Sequence, residues 1–103
     1  MGRKRPERTA KRERERAARQ LVRDREKLAS MVAGGSQQRP IVVPSSAVIE
    51  GRVRAMPCPQ CEGELRVGDH RSAGAGMRAV DVRCQQCGAP RTLWFRIVGD
   101  EPN

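Results

Sequence analysis

Every thiol in this chain sits in one of two short pairs, Cys58-Pro59-Gln60-Cys61 and Cys84-Gln85-Gln86-Cys87. Twenty-two residues lie between the pairs, the length of a hairpin. Two CxxC turns joined by a hairpin bring four soft sulfur ligands to one point, a tetrahedral set that suits Zn²⁺ and leaves no coordination position for a substrate. A metal held this way builds the fold and runs no reaction. Iron on the same four sulfurs is the nearest chemical competitor. Disulfides and a thioredoxin-like dithiol are the others. A dithiol enzyme needs one CxxC opening a helix inside a βαβ unit, and no such unit is visible. Disulfides suit a secreted chain, but the first thirty residues have no apolar signal-like stretch, and no run is long enough to span a membrane. The expected setting is the cytoplasm, where thiols stay reduced and available to metal.

The ligand turns carry finer support. Backbone N–H groups just after the first cysteine of such a turn point back at the thiolate, and the tight path favours a residue tolerant of positive φ near the second cysteine. Gly88 directly follows Cys87, Gly63 lies two past Cys61, and Pro59 presets the first turn. Four thiolates on Zn²⁺ leave a formal charge of about −2, so Arg54, Arg66, Arg83 and Arg91, all close to a ligand in sequence, are expected to help balance it. On these motifs, Met56-Pro57-Cys58-Pro59-Gln60-Cys61-Glu62-Gly63 and Cys84-Gln85-Gln86-Cys87-Gly88, residues 56 to 98 resemble the zinc-ribbon superfamily of zinc fingers. The resemblance implies a small antiparallel sheet with zinc at one end. Members commonly serve nucleic-acid machines or protein assemblies, so it does not by itself assign a function.

With 103 residues, 37% of them hydrophobic, and only Trp94 and Phe95 as aromatics, the chain has apolar material for one small core. A segment as short as 56 to 98 seldom offsets its conformational entropy unaided, so metal is expected to make it fold. The charge lies elsewhere. Residues 1 to 30 hold twelve Lys or Arg against five Asp or Glu, while residues 31 to 103 hold nine against seven. From Pro6 to Val32 the basic arm has neither Gly nor internal Pro and is built from strong helix formers, so it reads as one helix stopped at Gly34-Gly35. Glu7 with Lys11 and Glu15 with Arg19 run in the favourable i,i+4 direction. Ala18, Leu21, Val22, Leu28, Ala29 and Val32 share a helical face. Ala10, Ala17, Leu21, Leu28 and Met31 fit a partial heptad broken by Arg14 and Asp24.

The chain thus divides into a basic helical arm (1–33), a linker (34–55), a metal module (56–98) and a tail (99–103). Gly34 to Pro40 is linker by composition. Ile41 to Ile49 has β-branched residues that favour extended chain, while Pro44 forbids a central strand, so it reads as an edge strand on the module or a plain connector. In the module, alternation predicts three antiparallel strands, Glu64 to Val67, Met77 to Arg83 and Thr92 to Val98, with a loop through Asp69, His70 and Ser72. The expected fold class is therefore small α+β: a basic helix, a linker and a three-stranded antiparallel zinc ribbon.

Alternation puts Leu65, Val67, Val80, Val82, Leu93, Phe95 and Ile97 on one face. Glu64, Arg66, Asp81, Arg83, Trp94 and Arg96 fall on the other. A Trp among arginines stacks bases and grips phosphate, yet the two acids argue equally for cross-strand ion pairs beneath the ring. His70 has no carboxylate placed to orient it, and no nucleotide-binding loop, metalloprotease helix or nucleophile elbow occurs, so no enzyme is expected. Two functions remain. In one, the arm neutralises RNA or DNA phosphates without reading sequence, through Arg12, Arg16, Arg19 and Arg23, and the module adds Arg66, Arg83, Trp94 and Arg96. In the other, the arm's apolar face docks in a protein complex and the zinc is purely structural. Neither involves a membrane or a small-molecule substrate.

Overall fold

In the computed structural model, which describes residues 7–99, the arm is a single helix α1, Glu7–Met31. The first six residues of the basic arm and the tail beyond residue 99 lie outside the described residues. Helix α1 buries no residue. It ends where expected, and two contacts finish it: Arg39 Nη1 donates to Met31 O at 2.7 Å, and Gly34 N donates to Arg39 O at 2.6 Å. Gly34 takes φ +87°, and a Cβ there would lie 2.6 Å from Ile41 Cδ1, so only glycine fits. No helix among the described residues is long and apolar enough to cross a membrane.

The sheet differs from the three antiparallel strands expected. It has four: β1 (Ile41–Val43), β2 (Leu65–Ser72), β3 (Met77–Cys84) and β4 (Pro90–Ile97), in spatial order β1-β4-β3-β2. The last three are antiparallel neighbours, but β1 lies parallel to β4, with Ile41 opposite Phe95 and Val43 opposite Ile97. The sheet is mixed because β1 alone runs parallel to its neighbour, and β1 and β2 occupy its opposite edges. The chain crosses between them by a 3₁₀ turn at Ser46–Val48 and a short helix α2, Ile49–Arg54, which sequence reading left inside the linker. Its signal is faint. Only Ile49 and Val53, one turn apart, carry its apolar face, and both are fully buried.

Strand β2 runs through His70 to Ser72, where a loop was expected. Val67 pairs with Val82 and His70 with Val80, so β2 spends one extra residue over this stretch. That bulge at Gly68-Asp69 disguises the alternation and hides the strand from period counting. The inward parity is otherwise as expected, since Leu65, Val80, Val82, Leu93 and Phe95 are all buried. With Ile41, Val43, Ile49, Val53, Cys58 and Cys84 they form one continuous core, and α2 packs against β2. The outward face is partly covered. Met77 and Ala79 are buried on it, and Trp94, half-buried, stands opposite Ala79.

Candidate metal centre

Cys58 and Cys84 open two turns with one hydrogen-bond plan. Each cysteine's N–H donates to the carbonyl five residues on, Cys58 to Gly63 at 2.9 Å and Cys84 to Ala89 at 3.1 Å. Each carbonyl accepts from the N–H four residues on, Glu62 at 2.7 Å and Gly88 at 3.0 Å. The thiols accept backbone N–H groups as well. Gln60 N reaches Cys58 Sγ and Gly63 N reaches Cys61 Sγ, both at 3.4 Å, while Gln86 N and Cys87 N reach Cys84 Sγ at 3.3 and 3.4 Å.

The repeated plan requires positive φ at the residue after each second cysteine. Gly88 supplies it at +76°, but in the first turn the position is Glu62, at +65°. Gly63, which the sequence suggested for this role, serves another: a Cβ there would stand 2.9 Å from Cys84 Sγ and 2.8 Å from Gln86 Cβ. Its glycine leaves room for the opposite ligand. Glu62→Gly is therefore expected to stabilise the metal-loaded module by about 1 kcal/mol, read as a higher thermal midpoint, because a left-handed conformation is strained for any side chain with a Cβ. An unchanged or lower midpoint would contradict this.

All four Sγ atoms lie within 4.8 Å of one another. Cys61 and Cys84 are 3.4 Å apart and Cys58 and Cys87 3.8 Å, and none of the four is disulfide-bonded. A tetrahedron with Zn–S bonds of about 2.3 Å has sulfurs about 3.8 Å apart, so the set fits a metal ion. Cys58 and Cys84 are buried and Cys87 is exposed. Cys84 is the last residue of β3, opposite Leu65 at the start of β2, so the site lies at that end of the sheet. Comparison with family models, with curated proteins and with solved structures finds no match. The metal assignment rests on geometry and donor chemistry alone.

Without a cation the thiols hold their protons unevenly. The N–H of Cys87 does most to draw Cys84 down to about 6. At Cys61 the Gly63 N–H pulls the same way, but the Cys84, Cys87 and Cys58 thiols and burial together outweigh it and push the group up to about 12. The arginines expected to balance the thiolates are mostly engaged elsewhere. Arg54 pairs with Glu64 at 3.3 Å and Arg91 with Glu26, while Arg83 touches a ligand turn only through Gly88 O, also at 3.3 Å.

Helix α1 meets this centre through a polar link that sequence reading did not find. Arg91 holds Glu26 bidentately at 2.7 and 3.1 Å, and its own side chain is only 8% exposed. Gln60, inside the first CxxC, donates to Glu26 Oε2 at 2.7 Å and to Val22 O at 3.0 Å, and Arg25 donates to Gln60 O at 2.7 Å. The partners stand 34 to 65 residues apart, so no local pattern could reveal them. The Arg91 guanidinium keeps the Glu26 carboxyl below its usual range in spite of partial burial. The link is therefore fully present above the ordinary carboxylate range and is lost as pH falls through the lowered value. Leu21, Val22 and Leu28 stay exposed.

The arginine candidates divide into groups. Arg12, Arg16, Arg19 and Arg23 are all exposed on α1, spaced four, three and four residues apart, so they form one ridge. Arg66 and Arg83 are exposed and face each other across β2 and β3. Trp94 is not brought to them. Arg83 stands opposite Pro90, four residues or roughly 13 Å along β4 from Trp94. Between them Asp81 holds Arg71 at 2.7 Å and accepts from Thr92 at 3.0 Å. Of the three arginines only exposed Arg96, two residues on, shares Trp94's neighbourhood.

Proposed function

We propose that this chain is a non-catalytic, cytoplasmic nucleic-acid-binding module whose single structural Zn²⁺, on Cys58, Cys61, Cys84 and Cys87, fixes a zinc-ribbon-like sheet. The helix presents its cations to RNA or DNA without reading sequence. The observation that carries the reading is the Arg12, Arg16, Arg19 and Arg23 ridge, exposed on a 25-residue helix that buries nothing. Guanidinium groups repeated at helical spacing suit phosphates repeated along a strand. The Glu26–Arg91 link holds the helix's C-terminal third to the metal module, and Arg66 with Arg83 adds a second basic spot on the sheet.

Titrating a labelled single-stranded oligonucleotide at rising salt tests this. If the ridge engages on the order of four phosphates, log K falls against log salt with a slope of about −0.7 per phosphate. Replacing the four ridge arginines by glutamine should flatten the slope. A loss of about 1–3 kcal/mol for Trp94→Ala would place a stacked base on the sheet. No binding at low salt by the zinc-loaded protein would end the nucleic-acid reading. The second reading, a protein adaptor, is favoured by Leu21, Val22 and Leu28, which lie exposed on the same helix. Binding through them would be nearly insensitive to salt.

A further inference from the structure

Among the described residues, the heptad seam of α1 is left largely exposed. Ala10, Arg14, Ala17, Leu21, Asp24, Leu28 and Met31 follow one another at alternating steps of four and three, which aligns them on one stripe. Leu21 is 48% and Leu28 63% exposed. The link to the metal module leaves from Arg25, Val22 and Glu26, roughly 70°, 130° and 170° around the helix from the seam at 100° per residue, so only Arg25 flanks it. Two charged residues interrupt the stripe. Arg14 makes no hydrogen bond or ion pair among the described residues, and Asp24 accepts only from Gln20, at 2.8 Å.

Those interruptions are placed symmetrically. An antiparallel pair of identical helices crossing at residue 19 sets Ala17 against Leu21, Ala10 against Leu28, and Arg14 against Asp24. Every layer then joins an a position to a d position, as antiparallel coiled coils require. The two inner apolar layers each match a leucine with an alanine, while at each end Met31 meets Glu7 of the other copy, a layer that adds nothing to the pairing. Both breaks in the heptad become ion pairs between copies, formed twice by symmetry. A parallel pair would oppose Arg14 to Arg14 and Asp24 to Asp24. We infer that α1 is the interface of an antiparallel homodimer in which Arg14 of each copy pairs with Asp24 of the other.

Charge complementarity selects a second copy as the occupant. The Arg14–Asp24 match alone carries that choice; beside the seam, Lys11 near Arg25 of the second copy is a like-charge contact that weakens the pair. The Arg12, Arg16, Arg19 and Arg23 ridge lies nearly opposite the seam, so dimerisation leaves it open. The two metal modules would sit at opposite ends of the paired helices.

Sedimentation of the zinc-loaded full chain, from low micromolar to submillimolar concentration, tests the inference. The mass should rise with concentration toward twice the 11.5 kDa of one chain. Arg14→Asp and Asp24→Arg should each weaken association by tenfold or more, about 1.4 kcal/mol. Mixing those two variants should restore it, as should the double variant. Helical circular dichroism confirms that each variant keeps α1. Solution scattering should show a particle with its modules far apart. A wild-type monomer throughout, single variants that associate like wild type, or a double variant that remains weak would each overturn the antiparallel pairing.

Discussion

Stripping the metal with a chelator is expected to collapse the sheet of residues 56 to 98, and Cys84→Ser should do the same. Cys58 and Cys84 belong to the core itself, beside Leu65, Val80, Val82 and Phe95, so the ligands and the apolar cluster order together. Binding energy on the order of 10 kcal/mol is then also folding energy. Elemental analysis should find one zinc per chain. Affinity should rise with pH, because the metal binds thiolates and must displace the protons that cysteines of the collapsed, metal-free module carry at neutrality. Much of the helical signal should survive, since α1 buries nothing and holds the module by a few polar contacts, although a free helix of this length is marginal. A sheet that persists in chelator would mean the apolar core suffices and would sink the structural-zinc reading.

Phe95→Ala should cost about 3–5 kcal/mol, and in the metal-loaded protein this should appear as a large drop in the denaturant midpoint at constant slope. Phe95 is fully buried at the centre of β4, with Ile41 beside it in β1 and Arg78 in β3. Trp94 is the larger ring, but it is half-buried on the outward face, so Trp94→Ala should cost less than half as much. Equal losses would place the tryptophan in the core and remove it from the surface on which nucleic acid is proposed to bind.

The contrast between these neighbours shows how far the sequence could be read. Alternation assigned Phe95 and Trp94 to opposite faces, and the structure agrees on the inward one. Alternation could not reveal that Ala79 and Met77 are buried on the outward face. The same limit applies at β2, where one extra residue at the bulge broke the period and concealed the strand beyond Val67.

What the sequence determined by itself is local: the helix from Glu7 to Met31, the four clustered thiols and the inward apolar parity all follow from spacings of a few residues. Tertiary structure alone decided the rest. The parallel pairing of β1 with β4, the crossing by α2 and the Gln60–Glu26–Arg91 link join groups tens of residues apart, and their partners are set by which edges remain open once the module has closed. Glu62 is the most telling case. Its type argues against a left-handed turn, yet the ligand geometry shared with Gly88 holds it there, because closing four sulfurs around one point outweighs the preference of a single residue.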